Sequence, residues 1–439
     1  MPSAETNLAM DAASSPCVAC RLPLPLRPKP AAEVGQYWVC VRCGTKHHGV
    51  LLDNPPRGIA GNVRPADPPQ VAAVKQAQRE HAPQGVASRA LSSRGRVRCT
   101  QETPASREVD SAVASAANLS NQPIGPPFLN GVKSHAALSY DPIAMERFNQ
   151  HYDDSLQQVE SFVRTLEQGR PLDLAVPEAI TRDALVKATQ DLDLFVRLGI
   201  NPPAGDYPGR HSLHVAMLAA AVGANLGWDE KTLTELGVGC LLHDVGMLRV
   251  PKTCYDTDRV LDDGQFVEIV RHPLHTFDLL ADNHSRVPLA SRMVAFQIHE
   301  RTNGSGYPRN RSSEMIHEAA KVAAVADVYV ALVSPRPHRP ALMPYYAMEH
   351  LLYEVKNGTF EGKAVRALLK TISLFPIGSY LALADGRVGR VIRANGEHYG
   401  RPIIEAWQED QLDLGPVVVD LAQEPQTTIR GPLPRLEDA

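Results

Sequence analysis

The chain has 439 residues, a formal net charge of -4 and a hydrophobic share of 44%, which exceeds one ordinary domain and predicts two or three units. So mild a charge leaves no electrostatic footprint for nucleic acid, so a nucleic-acid partner is not expected and any nucleotide site should be local. No apolar run approaches bilayer-spanning length, and the opening Met-Pro-Ser-Ala-Glu lacks the basic start and apolar core of a secretory signal, so a cytoplasmic chain without membrane association is expected.

In chain order, Cys17-Val-Ala-Cys20 and Cys40-Val-Arg-Cys43-Gly44 come first, two Cys-x-x-Cys pairs separated by nineteen residues. That spacing predicts a structural zinc site of four thiolates over residues 15–52, where metal binding replaces the core so short a segment lacks. The segment resembles a zinc ribbon, with Gln36–Val39 and Val50–Leu52 as short strands and His47 and His48 surplus to a full ligand set. It could recruit a protein partner or nucleic acid, with no basic or aromatic density to favour nucleic acid, or serve folding alone. The other cysteines, Cys99, Cys240 and Cys254, are scattered, as in a reducing compartment.

Residues 53–135 are a Pro, Ala, Ser, Arg and Gln mixture without sustained apolar periodicity, which predicts a disordered linker. Helical patterning begins at Pro142-Ile-Ala-Met-Glu-Arg-Phe and runs through Ser155 to Gln168. Thr181 to Leu198 then places Leu185, Leu192, Phe195 and Val196 on one face. Residues 136–200 therefore read as a helical lead-in.

Residues 201–374 form an alanine-rich, helix-prone region with predicted helices at His211–Leu226, Lys231–Met247, Gln265–Leu280, Leu289–Glu300, Ala319–Leu332, Tyr345–Val355 and Gly362–Thr371. Through it run His211, His243-Asp244, His272, His299-Glu300 and Asp327. That order is a metal-ligand list set near helix ends, as expected of a site between facing helices. Neutral imidazole and carboxylate suit Mn, Fe or Zn without selecting among them. After Phe375-Pro376, short strands around an Asp385-Gly386 turn predict a small β unit over 375–423 and a tail over 424–439. The fold class is thus mainly α, a helical bundle with a small C-terminal β unit and a short N-terminal zinc ribbon.

Six ordered landmarks carry a resemblance. They are His211-Ser-Leu-His-Val-Ala, Leu-Leu-His243-Asp244-Val-Gly, Arg-His272-Pro, His299-Glu300 through Gly306-Tyr307-Pro308-Arg309, Val-Ala-Asp327-Val-Tyr, and Ser334-Pro-Arg336-Pro-His-Arg339. The region resembles an HD-GYP domain, a subgroup of the HD metal-dependent phosphohydrolases whose members hydrolyse the bacterial second messenger cyclic di-GMP. The resemblance implies a two-metal site of His211, His243, Asp244, His272, His299 and Asp327. His211, His243, Asp244 and Asp327 would surround one ion, Asp244 would bridge to a second held by His272 and His299, and catalysis would centre on His243 and Asp244. It also implies substrate contacts from Gly304, Gly306, Tyr307, Pro308, Arg309 and Arg336. Tyr307 could stack on a base or be a packed loop aromatic. Arg311 and Arg339 could meet phosphate or simply solvate their loops.

Four positions depart from the family pattern: Ile298 replaces a second histidine, Met247 a lysine, Asn303 an aspartate, and Tyr207 the glutamate of three-metal members. His214 and His275, one helical turn beyond His211 and His272, are candidate substitutes for the missing histidine. The expected function is a cytoplasmic metal-dependent phosphodiesterase acting on cyclic di-GMP, giving the linear dinucleotide or GMP. The rival readings are an impaired domain that binds nucleotide or protein, and an HD phosphohydrolase acting on another phosphoester.

Overall fold

The computed structural model describes residues 37–39, 46–48, 98–100, 102–114, 125–128, 142–171, 173–200, 207–257, 259, 261–280, 286–336, 339–407 and 416–433. The chain divides into two units, Met1–Gln84 with Leu433–Ala439, and Gly85–Pro432.

In the first unit, strands β1 (Tyr37–Val39) and β2 (Lys46–His48) pair antiparallel, Trp38 opposite His47. The partner of the first predicted strand is therefore Lys46–His48. Val50–Leu52 and the four cysteines Cys17, Cys20, Cys40 and Cys43 lie outside the described residues.

The second unit holds eleven helices among the described residues: α1 Pro104–Ala114, α2 Pro142–Glu167, α3 Ala175–Gln190, α4 Leu192–Ile200, α5 Gly209–Asn225, α6 Glu230–Leu242, α7 Asp263–Leu279, α8 Leu289–Gln297, α9 Glu318–Val333, α10 Pro344–Lys356 and α11 Gly362–Ile372. Helix α5 is buried on every side, from His211 through Ala224, because alanine and glycine let neighbouring helices pack closely all round it. It touches α2, α4, α6, α9 and α11. Helix α6 starts where Asp229 accepts a 2.8 Å hydrogen bond from the Thr232 N–H. It crosses α8 so closely that a Cβ at Gly239 would lie 2.6 Å from the Val294 side chain. Helix α7 opens with a capping box between Asp262 and Gln265.

Two predicted helices are cut short. The pattern over 181–198 breaks at Asp191, which caps α4 through Leu194 N–H at 3.1 Å while both its oxygens take the Arg393 guanidinium at 2.9 Å. The pattern over 231–247 ends at Leu242, and the chain turns through a 3-10 segment, Val245–Arg249.

The linker expectation for 53–135 needs correction at 104–114. There Thr103 and Ser106 cap one another reciprocally, at 2.9 and 3.1 Å, and Pro104 occupies the first helical position. The helix buries Val109 and Val113 against Met293 and Phe296. The tail expectation for 424–439 is corrected as well. Strand β7 (Ile429–Leu433) joins β3 (Tyr380–Leu383), β4 (Val388–Arg393), β5 (Ile403–Trp407) and β6 (Val417–Asp420) in a sheet of order β6-β5-β4-β3-β7, where it covers the free edge of β3.

Candidate metal centre

Four helices and the turn after α6 converge on one buried pocket. His211 comes from the first turn of α5, His243 and Asp244 from the end of α6, His272 from the middle of α7, His299 from just beyond α8, and Asp327 from α9. All six are buried. The turn carrying His243 and Asp244 is pinned to α7 by Thr276, whose hydroxyl donates to the His243 carbonyl at 3.0 Å and accepts from Gly246 N–H at 3.1 Å. Gly246 is obligatory there, since a Cβ would fall 2.0 Å from the His272 carbonyl oxygen. Neither Thr276 nor Gly246 was singled out from the sequence, because their role exists only across the helix crossing.

The imidazoles are set for ligation. His243 Nδ1 donates to the Cys240 carbonyl at 2.6 Å, and His272 Nδ1 to the Ile269 carbonyl at 2.7 Å. Each bond leaves the Nε2 lone pair facing inward. Nε2 of His243, His272 and His299 and Oδ1 of Asp244 are buried without a hydrogen-bond partner. Asp244 is divided between two sides. Its Oδ2 lies 3.2 Å from His243 Nε2 and 4.0 Å from His211 Nε2, while its Oδ1 lies 3.2 Å from His272 Nε2 and 3.5 Å from His299 Nε2. Asp327 meets His211 Nε2 at 3.0 Å through one oxygen and His299 Nδ1 at 3.5 Å through the other.

His211, His243 and Asp327 offer ligand atoms within reach of one ion, and so do His243, Asp244 and His299. Orphaned buried nitrogens facing carboxylate oxygens are a costly arrangement in protein alone. The donor set therefore fits divalent cations.

The electrostatics follow from that crowding. Burial favours the neutral form of both aspartates, but the surrounding imidazoles outweigh it and hold Asp244 and Asp327 well below the usual carboxylate range. Burial disfavours charge on His299, yet Asp244 and Asp327 prevail and push it up to about 9. His243 is likewise raised, against its burial, by Asp244. For His211 and His272 burial wins, and both are lowered.

The Gly-Tyr-Pro loop is fastened by Glu300, whose two oxygens accept the backbone N–H groups of Arg309 at 2.7 Å and Arg311 at 2.9 Å. Burial pushes the Glu300 carboxyl up to about 7, against the pull of those amides and of the Arg311 guanidinium. Gly304 has φ +73°, and a Cβ on Gly306 would lie 2.4 Å from the His299 carbonyl oxygen. Tyr307 is packed inside, its ring stacked on His299 at 4.9 Å between centroids and edge-on to His272 at 5.9 Å. Of the two readings of Tyr307, the packed one matches its 3% exposure.

The arginines separate by partner. Arg309 turns away from the histidines to Asp110 at 3.1 Å and to the Cys99 carbonyl. Arg311 also pairs with Asp110, and Arg339 donates to the carbonyls of Ala331, Leu332 and Ser334 at the end of α9. Arg336 lies over the ring of Tyr207, 5.2 Å from its centroid, and Tyr207 donates to Asp244 Oδ2 at 2.6 Å.

The departures now have addresses. Ile298 is fully buried in the main core and offers no ligand atom. Met247 belongs to an apolar cluster with Val250, Cys254, Leu261 and Ile269, against which Tyr207 packs. The Asn303 side chain accepts from Ser305 N–H at 3.0 Å and its hydroxyl at 2.6 Å, so a neutral amide suffices to shape this turn. His214 bonds Tyr152 at 2.9 Å and His275 lies 4.0 Å from Asp278, so neither substitute joins the cluster.

Residues 183–363 match the sequence model of the HD domain family. This segment is similar to HD domains. HD-domain phosphohydrolases are metal-dependent, in keeping with the His and Asp groups above. The chain is 27% identical over 271 residues to the cyclic di-GMP phosphodiesterase PA4108 of Pseudomonas aeruginosa, covering 61% of this chain and 65% of that protein. It is 31% identical over 153 residues to the cyclic di-GMP phosphodiesterase response regulator RpfG of Xanthomonas campestris, covering 35% and 40% of the two chains. It is 28% identical over 170 residues to the 3'3'-cGAMP-specific phosphodiesterase 3 of Vibrio cholerae, covering 39% and 36%. The chain thus spans less than two thirds of the length of each of these relatives. No helix among the described residues is long and apolar enough to cross a membrane.

Proposed function

We propose that this chain is a metal-dependent phosphodiesterase of cyclic dinucleotides, with cyclic di-GMP as its substrate. The observation that carries the reading is the division of Asp244, one oxygen toward His211 and His243 and the other toward His272 and His299, with Nε2 of His243, His272 and His299 buried without a hydrogen-bond partner. His211, His243, Asp244 and Asp327 would hold one ion, and Asp244, His272 and His299 a second. Two divalent cations there, Mn, Fe or Zn, would neutralise phosphodiester oxygens and lower the pKa of a water toward about 7.

The chain's own groups supply the frame for that chemistry. Tyr207 orients Asp244, Tyr307 braces the rings of His272 and His299, and Thr276 fixes the turn that presents His243. The Arg336 guanidinium lies on the ring of Tyr207, the residue bonded to Asp244, and that position suits a role in binding a substrate phosphate. Gly304, Gly306 and Pro308 would shape the loop against the nucleotide. Cyclic di-GMP is preferred over other cyclic dinucleotides because two of the relatives above carry it in their names. A cytoplasmic location belongs to the same reading, as does a structural zinc at Cys17, Cys20, Cys40 and Cys43 whose ribbon would meet a protein partner.

A second reading, a domain that binds the nucleotide without turning it over, draws on Met247 and Ile298, which put apolar side chains where the family pattern has a lysine and a histidine. One experiment separates the two. Metal content and cyclic di-GMP turnover are measured under anaerobic loading with Mn or Fe, on wild type beside the His243→Ala/Asp244→Ala double variant. Turnover that needs His243 and Asp244 supports the enzyme. Nucleotide binding without turnover in metal-loaded wild type supports the binding module.

A further inference from the structure

Residues 98–100 and 102–114, upstream of the HD domain match, are tied to the loop that carries Tyr307. The Cys99 N–H donates to the Pro308 carbonyl at 2.8 Å, and the Arg309 guanidinium returns a bond to the Cys99 carbonyl. Asp110 receives Arg309 at 3.1 Å through one oxygen and Arg311 through the other. Glu108, one helical position away from the next buried contact at Val109, pairs with Arg292 of α8 at 2.7 Å. Val109 and Val113 complete the seat in the same apolar cluster as Phe296 and Tyr307.

These contacts bear on the metal centre by a short route. Arg309 and Arg311 are the residues whose backbone N–H groups are held by Glu300, next in sequence to His299. Between them and His299 lies Tyr307, stacked on that imidazole. Asp110 thus bridges two guanidinium groups and offsets their mutual repulsion, and it does so from a helix outside the HD domain match.

We propose that the segment from Cys99 to Ala114 is an intramolecular arm that sets the position of the Gly-Tyr-Pro loop, with Asp110 as a positioning residue for His299. The arm gives helix α1 a physical handle on the second metal position. That consequence rests on the metal-dependent reading above, whereas control of the loop does not.

The test uses the full-length chain as wild type, Asp110→Asn and Asp110→Glu. Amide hydrogen exchange of residues 299–311 in the metal-free protein should be at least about tenfold faster in Asp110→Asn, with α5 and α6 unchanged, and should return toward wild type in Asp110→Glu. In titrations with Mn(II), Asp110→Asn should lose about tenfold in affinity for one ion of the pair and keep the other. Unchanged loop exchange in Asp110→Asn, or equal acceleration throughout α5 and α6, would overturn the arm. If wild type binds no second ion, the metal-dependent reading fails, and loop exchange still decides the arm by itself.

Discussion

The Tyr207 hydroxyl donates a 2.6 Å hydrogen bond to Oδ2 of Asp244, the oxygen that also faces His243 and His211. A donor of this kind fixes the direction of the carboxylate it bonds and does so at short range, since a charged acceptor strengthens the bond. Tyr207 is itself held by Arg336 on its ring and by the apolar cluster around Met247 behind it.

Tyr207→Phe keeps the ring and removes only the donor. Metal affinity should fall by about tenfold, with little change in thermal stability. Isothermal titration with Mn(II) measures it, and unchanged or tighter binding would show that the hydroxyl does not support the carboxylate.

Met247→Lys is expected to unfold the protein more readily instead of restoring a phosphate contact. Met247 is 2% exposed among Val250, Leu261 and Ile269, and an unpaired ammonium there should cost about 3 kcal/mol or more. Met247→Leu should stay within about 1.5 kcal/mol of wild type. Urea unfolding beside a turnover assay distinguishes these outcomes, and a stable, faster Met247→Lys variant would mean that the side chain reaches the substrate.

Gly306→Ala should displace the Gly-Tyr-Pro loop. The added Cβ would lie 2.4 Å from Arg301 N and from the His299 carbonyl oxygen, both backbone atoms with no freedom to yield. A loss of about 2–4 kcal/mol is expected, together with reduced metal content as Tyr307 leaves His299. Wild-type stability and stoichiometry in this variant would contradict the close approach.

His317 supplies a pH dependence separate from the ligands. It caps α9, its Nδ1 accepting from Ala319 N–H at 3.1 Å, which requires an unprotonated nitrogen. Burial, aided by the charge of Lys321, lowers its pKa from 6.5 to about 4. A lowered folded-state value means that the unfolded chain binds the proton first. The contribution to stability is therefore complete above about pH 6.5 and is lost as pH falls toward about 4, by at most about 3 kcal/mol. His317→Asn, which caps without titrating, should flatten the melting-temperature profile over that interval. An unaltered profile would refute the assignment.

Much of the centre was legible in the order of its residues. His211, His243-Asp244, His272, His299 and Asp327 are spread over 117 residues, yet each stands in or directly after a segment with helical periodicity, which is how the helices that bring them together could be read. Apolar periodicity and turn residues likewise predicted a mainly helical body followed by short strands.

What one-dimensional pattern could not supply was any relationship made across elements. The helix at Pro104–Ala114 sits in a composition that reads as linker, and its Thr103-Pro104 start with Val109 and Val113 one turn apart was the available signal. Its amphipathic face is too short to register until α8 and the Gly-Tyr-Pro loop cover it. Arg309 illustrates the same limit: a guanidinium beside a conspicuous loop suggests phosphate, and only the arrival of Asp110 from 199 residues upstream turns it to the opposite face.

Met247 and Tyr207 stand 40 positions apart and read as two separate departures from the family pattern, but they pack together, so the apolar cluster and the hydroxyl on Asp244 form one local arrangement. The sequence by itself determined which groups can ligate a metal and which segments are helical, because those follow from residue chemistry and local repeat. Only the tertiary structure decided where each lone pair points and which arginine is already neutralised, because burial and pairing depend on what the rest of the chain brings within a few ångströms.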